Sequence, residues 1–597
     1  MNKKAKKIVN SSEKKTPVPR VYFYIVTGLF LIFVTLFTTF KISGDDDVFW
    51  HLETGRYISE NKVIPSQDVF GFMTEGTKWI PFEWGWDVLS YQVYSLAGYA
   101  GVSILRTLIF LILFALLKRL IFRLGLNVTP AVFIFLLLCF GVMDRLAPKP
   151  QIISYLFFAV LLYLLYGYKT FARNKLNRLY LLPFVFLIWC NMHMGVLAGI
   201  GILGIFYLSE LLGYFKPSLA PMMGNSPLPK KDILQLSLIF LASGIVLLIN
   251  PHGLNTYIYV YSHLNMKMLE DVFEWYSPFN KAFSGSIYFY FYLFFLGASM
   301  VVTYVSLRKK EFFTAAVLLV FAGLSLSSSR YTIDFMFITS VFLAIRLCLI
   351  ISYGNNKKIN ELFNFSKIPV IVLSILLIVL TVSLPGNTLY STLNYERLTG
   401  FGIDEGDYPV KTYRFIKENN LQNTGNRPFN SFGSGGYLIW ELKGKKNFID
   451  SRNLTDDIYY NYKTINNKLP GFEMRLDENN FDYIIWDYAG LINNSSELQS
   501  SIVSYLINKP DSWKLVYWDD QSLLFVKNES KFSDIIARHE YKHVNPLFYI
   551  YQRDPLKKSL ATSGEEVFAE IQRNYKQNPD GHFINSMVKS FKVPVSR

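Results

Sequence analysis

The chain has 597 residues, of which 51% are hydrophobic, 17% aromatic and only 18% charged, with 60 Lys and Arg against 45 Asp and Glu for a net charge of +15. That little polar surface over that length excludes a soluble globular protein, and the wealth of Phe, Tyr and Trp excludes a disordered one. The three cysteines, Cys139, Cys190 and Cys348, each lie inside an apolar run, which excludes a disulfide scaffold and offers no zinc-site spacing.

In chain order, residues 1–20 form a basic tail with Lys3, Lys4, Lys6, Lys7, Lys14, Lys15 and Arg20. Residues 21–40 are charge-free, and a run of about 20 such residues can cross a bilayer. This run is longer than a signal-peptide core and lacks a small-residue cleavage site, so it reads as a retained anchor. After a polar loop at 42–99, further runs fall at 100–117, 124–143, 150–168, 179–209 (two spans, broken near Asn191), 233–250, 282–307, 312–329, 335–351 and 368–384. Together they predict about eleven spans. Their midplanes are almost purely apolar; Arg106 and Arg346 are exceptions, and both side chains are long enough to snorkel.

Beyond residue 385 the pattern changes to soluble α/β structure, with a domain over 386–530 and a polar helical extension over 531–597. The spacing predicts helices over 407–420, 437–442 and 495–508, and strands over 428–432, 447–450, 482–486, 513–518 and 521–527. The last two strands pair across Asp519-Asp520. Gly433, Gly435 and Gly436 make a turn whose N–H groups suit an anion, a phosphate or an acceptor group. The expected fold class is a polytopic α-helical membrane protein with its spans in 21–385 and a C-terminal extracytoplasmic α/β domain.

The charges give an orientation. The amino terminus and every second loop hold 23 cations against five acids, a larger excess than the whole chain has. The basic character therefore follows the positive-inside rule and does not point to nucleic acid. It predicts a cytoplasmic amino terminus, and an odd number of spans then places 386–597 outside. The opposite loops are different. The first, 42–99, has nine acids and three cations. The others bring Arg145 and Lys149, Asn191 and His193, His252, Glu270, Asp271 and Glu274, and Arg330 to the same membrane surface. Ionisable groups near a bilayer are costly and commonly functional, so their convergence on one face predicts a site.

Within the first loop, Asp45, Asp46 and Asp47 suit a helix start. Asp47 and His51 are four apart and share a helical face. Phe49 and Trp50 are expected in the membrane interface, and the stretch from Glu83 to Leu89 is expected to lie on the membrane. Three crowded carboxylates repel, so either one keeps its proton or a divalent cation (Mg or Mn) is shared by Asp45 and Asp47. Either state suits general-base work.

This loop resembles the opening of a group of bacterial membrane proteins related to glycosyltransferases of the GT-C fold. The matching residues are Asp45, Asp47, Phe49, Trp50, His51, Leu52, Thr54, Gly55, Arg56, Ile64, Pro65, Asp68, Trp79, Glu83 and Trp84. Val48 departs from a position that is often aromatic in the group. Arg145 with Pro148 and Gln151, the segments 191–195, 250–253 and 274–278, Arg330, and the segments 435–440 and 448–452 are similar to the same group. The resemblance covers most of residues 20–530 and none of 531–597. It extends distantly to oligosaccharyltransferases and protein mannosyltransferases; Gly436-Tyr437 is similar to a short part of the former. The resemblance implies an acidic catalytic residue in the first external loop and a sugar donor on a polyprenyl phosphate carrier.

These readings combine into an enzyme of the bacterial cytoplasmic membrane. A sugar moves from polyprenyl phosphate to an envelope glycan, lipid or protein on the outer face. Asp47 or Asp45 is the base, with His51 beside them. Arg145, His193, His252 and Arg330 clamp the phosphate, since arginine forks match phosphate oxygens. Glu83, Glu274, Tyr437, Asp450 and Arg452 contact the acceptor or substrate, although Asp450 and Arg452 also suit a mutual ion pair. Two alternatives stay open: a non-catalytic assembly or binding protein of the envelope, and a transporter or flippase, which usually needs polar groups and broken helices at mid-bilayer depth.

Overall fold

The computed structural model describes residues 18–170, 176–217, 228–487, 496–551 and 553–595. The lysines of the amino-terminal tail, Arg173, Lys175 and the first residue of the expected helix 495–508 lie outside the described residues. The chain divides into two compact units, one of Met1–Lys41, Ala97–Asn255 and Glu270–Phe401, the other of Ile42–Leu96, Thr256–Leu269 and Gly402–Arg597. By this division residues 42–96 group with the sheet-bearing unit and not with the spans.

The first unit is helical. Seven helices among the described residues are long and apolar enough to cross a membrane: Arg20–Thr38, Trp84–Arg123, Gln151–Lys169, Val196–Phe215, Lys230–Leu248, Ile287–Arg308 and Ser329–Tyr353. The pair Lys357–Phe365 and Ile368–Val382, bent by 60°, makes an eighth if it is one span. Thr129–Gly141, Arg178–Cys190 and Phe312–Ser327 are apolar but shorter. Each run expected from the sequence meets one of these elements. By length, however, seven or eight qualify as crossings, because a helix rises only about 1.5 Å per residue. Prolines in the first turns of Thr129–Gly141 and Leu182–Cys190 set where those helices begin.

Apolar side chains such as Leu238, Leu241, Met300 and Val301 point outward and are mostly exposed, as lipid-facing residues are. Inward, Phe33 and Phe37 pack with Phe140, and Phe158 packs edge-on against Trp189. The long helix Trp84–Arg123 is interrupted at Ala97 and Gly98, where the Gly98 φ of 58° requires a residue without Cβ strain. Arg106 and Arg346 do not snorkel. Arg346 is buried against Glu311, and Arg106 is fully buried with its Nε donating to Thr38 O at 2.8 Å. Lys169 and Glu210 form another buried pair at 2.9 Å.

The second unit is built on a four-stranded sheet of order β1-β2-β4-β3, with β1 Pro428–Asn430, β2 Tyr483–Asp487, β3 Trp513–Trp518 and β4 Ser522–Lys527. β1 and β2 run parallel, and the other two pairings are antiparallel. The expected strand 447–450 is absent. The Asn430 side chain takes its backbone instead: Phe448 N donates to Asn430 Oδ1 at 2.9 Å and Asn430 Nδ2 donates to Ile449 O at 2.7 Å. The expected helix 495–508 is split into Ser496–Ser500 and Ile502–Ile507, because the Ser501 hydroxyl accepts from Val503 N and caps a new start. Val410–Glu418 and Gly435–Glu441 are helical as the pattern predicts. Leu556, Val567, Ile571, Phe583 and Met587 share one core with Trp518, Leu523 and Phe525 of the sheet. The residues after 530 thus complete this core.

Candidate functional site

In the sheet-bearing unit the three aspartates begin the helix Asp47–Asn61 but do different things. Asp45 Oδ1 accepts from Asp47 N at 3.2 Å. Asp46 turns inward, is 9% exposed, and accepts from Gly436 N at 2.9 Å and Tyr437 N at 3.0 Å. The glycines make this approach feasible. A Cβ on Gly435 would stand 1.9 Å from Ile449 O, and one on Gly436 2.7 Å from Asp46 Oδ2. The anion cradle expected at the glycine turn is therefore filled by the protein's own carboxyl group. Tyr437 contributes its backbone there and a buried ring. Burial pushes the Asp46 carboxyl well up and the charge of Asp47 adds to this, while the two N–H groups oppose it.

Asp47 is half-buried. Its Oδ1 accepts from Trp50 Nε1 at 3.1 Å and from the Ser451 hydroxyl. His51, on the same helix, is 2% exposed. Its Nδ1 lies 2.6 Å from Asp87 Oδ1 and its Nε2 3.7 Å from Glu83 Oε2. Asp87 itself is fully buried. Phe49 is not in an interface. It packs edge-on against Tyr408 at 4.8 Å and Tyr437 at 4.7 Å.

Asp450 and Arg452 pair with each other, and a third partner, Asp68, completes a brace. Arg452 Nη2 lies 2.6 Å from Asp450 Oδ2, and Nη1 lies 2.7 Å from Asp68 Oδ1. The guanidinium also sits over Trp79 at 4.6 Å. Burial opposes the charge of Arg452, but Asp450 and Asp68 outweigh it and hold the pKa above the ordinary value. Burial likewise opposes the Asp68 carboxylate, and Arg452 and the Thr74 hydroxyl hold it low. These groups, expected at substrate, are spent on joining the first loop to the segment after the glycine turn.

The helical unit holds a separate cluster around Glu274. Arg145 pairs with Glu274 Oε1, Lys149 Nζ lies 3.6 Å from the same oxygen, and Arg330 Nη1 lies 3.6 Å from Oε2. Ser328 and Ser329 hydroxyls donate to Glu274 O at 3.0 and 2.9 Å and fix the segment. Burial opposes its charge, yet Lys149, Arg145 and Arg330 hold Glu274 well below the usual carboxylate range. Glu274 thus gathers three cations. Arg330, stacked over Trp275 at 5.2 Å with a 47% exposed side chain, is the most accessible of them.

His193 lies near this cluster but is not a cation. Gly195 N donates to its Nδ1 at 3.0 Å, which leaves the ring proton on Nε2. Ser154 Oγ lies 2.7 Å from Nδ1 and itself accepts from Trp189 Nε1 at 2.7 Å. Burial, with Arg330 and Lys149 nearby, pushes the imidazole pKa down to about 3. His252 sits in the turn after Asn250, with its N–H donating to Asn250 Oδ1 at 3.0 Å.

Sequence reasoning passed over Asp46, Asp87 and Ser451 as site residues, and it placed Lys149 on the face of the expected site without giving it a role. Asp87 had a signal, its position four after Glu83 on a helix, and Lys149 had its place four after Arg145. Among the described residues no three His, Cys, Asp or Glu side chains gather as a metal-binding set.

No protein-family model and no curated protein matches the chain. Solved structures do. An oligosaccharyltransferase of Archaeoglobus fulgidus, tethered with an acceptor peptide containing the NVT sequon, matches with a TM-score of 0.51 and 12% identity over 85% of this chain and 74% of that one. The arabinofuranosyltransferase AftD from Mycobacteria matches with a TM-score of 0.50 and 11% identity over 87% of this chain and 40% of that one. The chain is thus similar in fold to enzymes that transfer sugars, and the fold is of the GT-C kind implied by its motifs.

Proposed function

We propose that the chain is a membrane glycosyltransferase that moves a sugar from a polyprenyl-phosphate carrier to an envelope glycan, lipid or protein, on the extracytoplasmic face of the bacterial cytoplasmic membrane, with Asp47 as general base. The observation that carries this reading is the division of labour among the three aspartates. Asp46 is buried against a helix start, Asp45 holds the backbone of Asp47, and Asp47 keeps a partly exposed carboxylate fixed by Ser451 and Trp50. A fixed base needs no reorganisation at the moment of reaction.

In the proposed transfer the acceptor hydroxyl oxygen attacks the anomeric carbon of the donor sugar and Asp47 takes the hydroxyl proton. The bond from that carbon to the phosphate oxygen breaks, and polyprenyl phosphate leaves with the electron pair. Arg330, Arg145 and Lys149, gathered around Glu274, are the groups suited to the departing phosphate, because cationic forks and ammonium groups make charge-assisted bonds to phosphate oxygens. His193 is suited to donate from Nε2 to a phosphate oxygen, and His51 with Asp87 and Glu83 to hold the helix of Asp47 in register. A divalent cation on Asp45 and Asp47 is compatible with this transfer and not demanded by it.

The test uses the full chain in liposomes with a panel of undecaprenyl-phosphate-linked sugars, following release of undecaprenyl phosphate. Asp47→Asn is expected to lower the rate by roughly a hundredfold or more, the usual contribution of a general base. Unchanged release in both Asp47→Asn and Asp45→Asn would overturn the assignment.

A further inference from the structure

In the helical unit, the nine-residue helix Lys357–Phe365 turns its apolar side away from the protein. Asn360 and Asn364, four apart on one face, point inward. Their side-chain N–H groups donate to Gly354 O and, at 3.4 Å, to Ile351 O. Two further bonds hold the helix in place, from Val18 N to Asn364 O at 2.9 Å and from Asn127 Nδ2 to Phe363 O at 2.8 Å. Ile359, Leu362 and Phe365, at spacings of three, lie on the opposite side and are 38–42% exposed. No residue of the helix is buried, so its apolar face is not part of the helical core.

That face continues the lipid-facing surface. The next helix, Ile368–Val382, is bent 60° from it and is exposed along Ile368, Val372, Ile375, Val379 and Val382. At about 1.5 Å per residue a nine-residue helix is too short to cross a bilayer, so the turned helix runs at the surface. Tyrosines at the start of Arg20–Thr38 mark the level of that surface. Lys367 Nζ lies 4.9 Å from the Tyr22 ring centroid, and Lys118 Nζ lies 5.7 Å from that of Tyr24. Tyrosine and lysine are side chains that sit between acyl chains and water. The charge at this level is one-sided. Lys357, Lys358 and Lys367 are all exposed, and Glu361 is the single acid of residues 353–367.

An amphipathic helix with lysines beside an exposed apolar face partitions into the boundary between headgroups and acyl chains and favours anionic lipid. Left in water, the same face would cost stability in proportion to its apolar area. We infer that Lys357–Phe365 is an interfacial helix that binds anionic phospholipid of the leaflet it lies against. Ile359, Leu362 and Phe365 enter the acyl boundary. Lys357, Lys358 and Lys367 pair with the phosphates of headgroups that carry a net negative charge. The surface uses none of the residues around Glu274 and is independent of the sugar-transfer reading.

The full chain with Leu362→Cys is labelled with bimane, the native cysteines being buried, and reconstituted in phosphatidylcholine vesicles. A minor share of the lipid is supplied with brominated acyl chains, which quench a fluorophore in the hydrocarbon. Brominated phosphatidylcholine is expected to quench the label. At equal mole fraction, brominated phosphatidylglycerol is expected to quench it more strongly. Replacing Lys357, Lys358 and Lys367 together by Gln is expected to lower that preference roughly fivefold or more at low salt, about the effect of one surface lysine on attraction to anionic lipid. Replacing all three by Arg keeps the charge and is expected to keep the preference. A label that neither lipid quenches, equal quenching by the two lipids, or a Gln variant with the wild-type preference overturns the assignment.

Discussion

Asp46 and Asp47 are chain neighbours with opposite fates, and a helix start is what separates them. Asp46, the N-cap residue, already has helical dihedrals (φ −68°, ψ −21°) and gives its carboxyl to the Gly436 and Tyr437 N–H groups, while Asp47, one residue on, holds Trp50 and Ser451. Glu53 shows the same sensitivity to position one and a half turns later. It is 6% exposed. Burial lifts its pKa to about 7, and Arg56 only partly opposes the shift. The folded pKa lies above the unfolded value, so the folded state holds the proton more tightly. Stability is then fully present at low pH and falls as pH rises from about 4.5 through 7, by up to about 3 kcal/mol. Glu53→Gln keeps the shape and removes the titration. Thermal unfolding of the full chain between pH 5 and 8 is expected to show a steeper decline for wild type than for Glu53→Gln, and equal slopes would refute the buried-acid account.

The brace of Arg452, Asp450 and Asp68 joins two irregular segments, the first loop and the stretch after the glycine turn, so its removal is felt across both. Arg452→Met leaves two buried carboxylates unpaired, a loss of about 3–5 kcal/mol. Adding Asp68→Asn and Asp450→Asn is expected to recover part of that loss in urea unfolding, since the cost lies in unpaired charge and not in lost contact. The same elements mark where the sequence is legible. Apolar helices are local patterns, and each expected run meets a helix in the structure. The hairpin β3–β4 is local too, with its Asp519-Asp520 turn in the expected place. The absent strand at 447–450 depends on the Asn430 side chain, and the filled glycine cradle depends on Asp46, 390 residues away. The pairing of Asp450 with Arg452 is readable at a spacing of two. Asp68 as third partner and the neutral His193 are not, because each is set by tertiary neighbours that no local spacing encodes.

At the scale of the whole molecule, the number of crossings and the sidedness of the site are one question. With a cytoplasmic amino terminus, seven or eleven crossings leave the last unit outside, and eight leave it inside. The short helices Thr129–Gly141, Arg178–Cys190 and Phe312–Ser327 and the bent pair decide between these counts. The charge asymmetry of the loops favours an odd number, because the turn with Arg308, Lys309 and Lys310 belongs to the cation-rich set and the acid-rich loop at 42–99 does not. Asp47 falls in the same compact unit as Lys589, so a probe at Lys589 reports the side of the proposed base. Lys310 and Lys589 are both exposed, and the native cysteines Cys139, Cys190 and Cys348 are buried, which keeps background reaction low. A membrane-impermeant maleimide added to intact cells is expected to label Lys589→Cys at once and Lys310→Cys only after permeabilisation. Labelling of both from the same side would give an even number of crossings between Lys310 and Lys589, and would place Asp47 with the lysine-rich surface, where an extracytoplasmic transfer has no base.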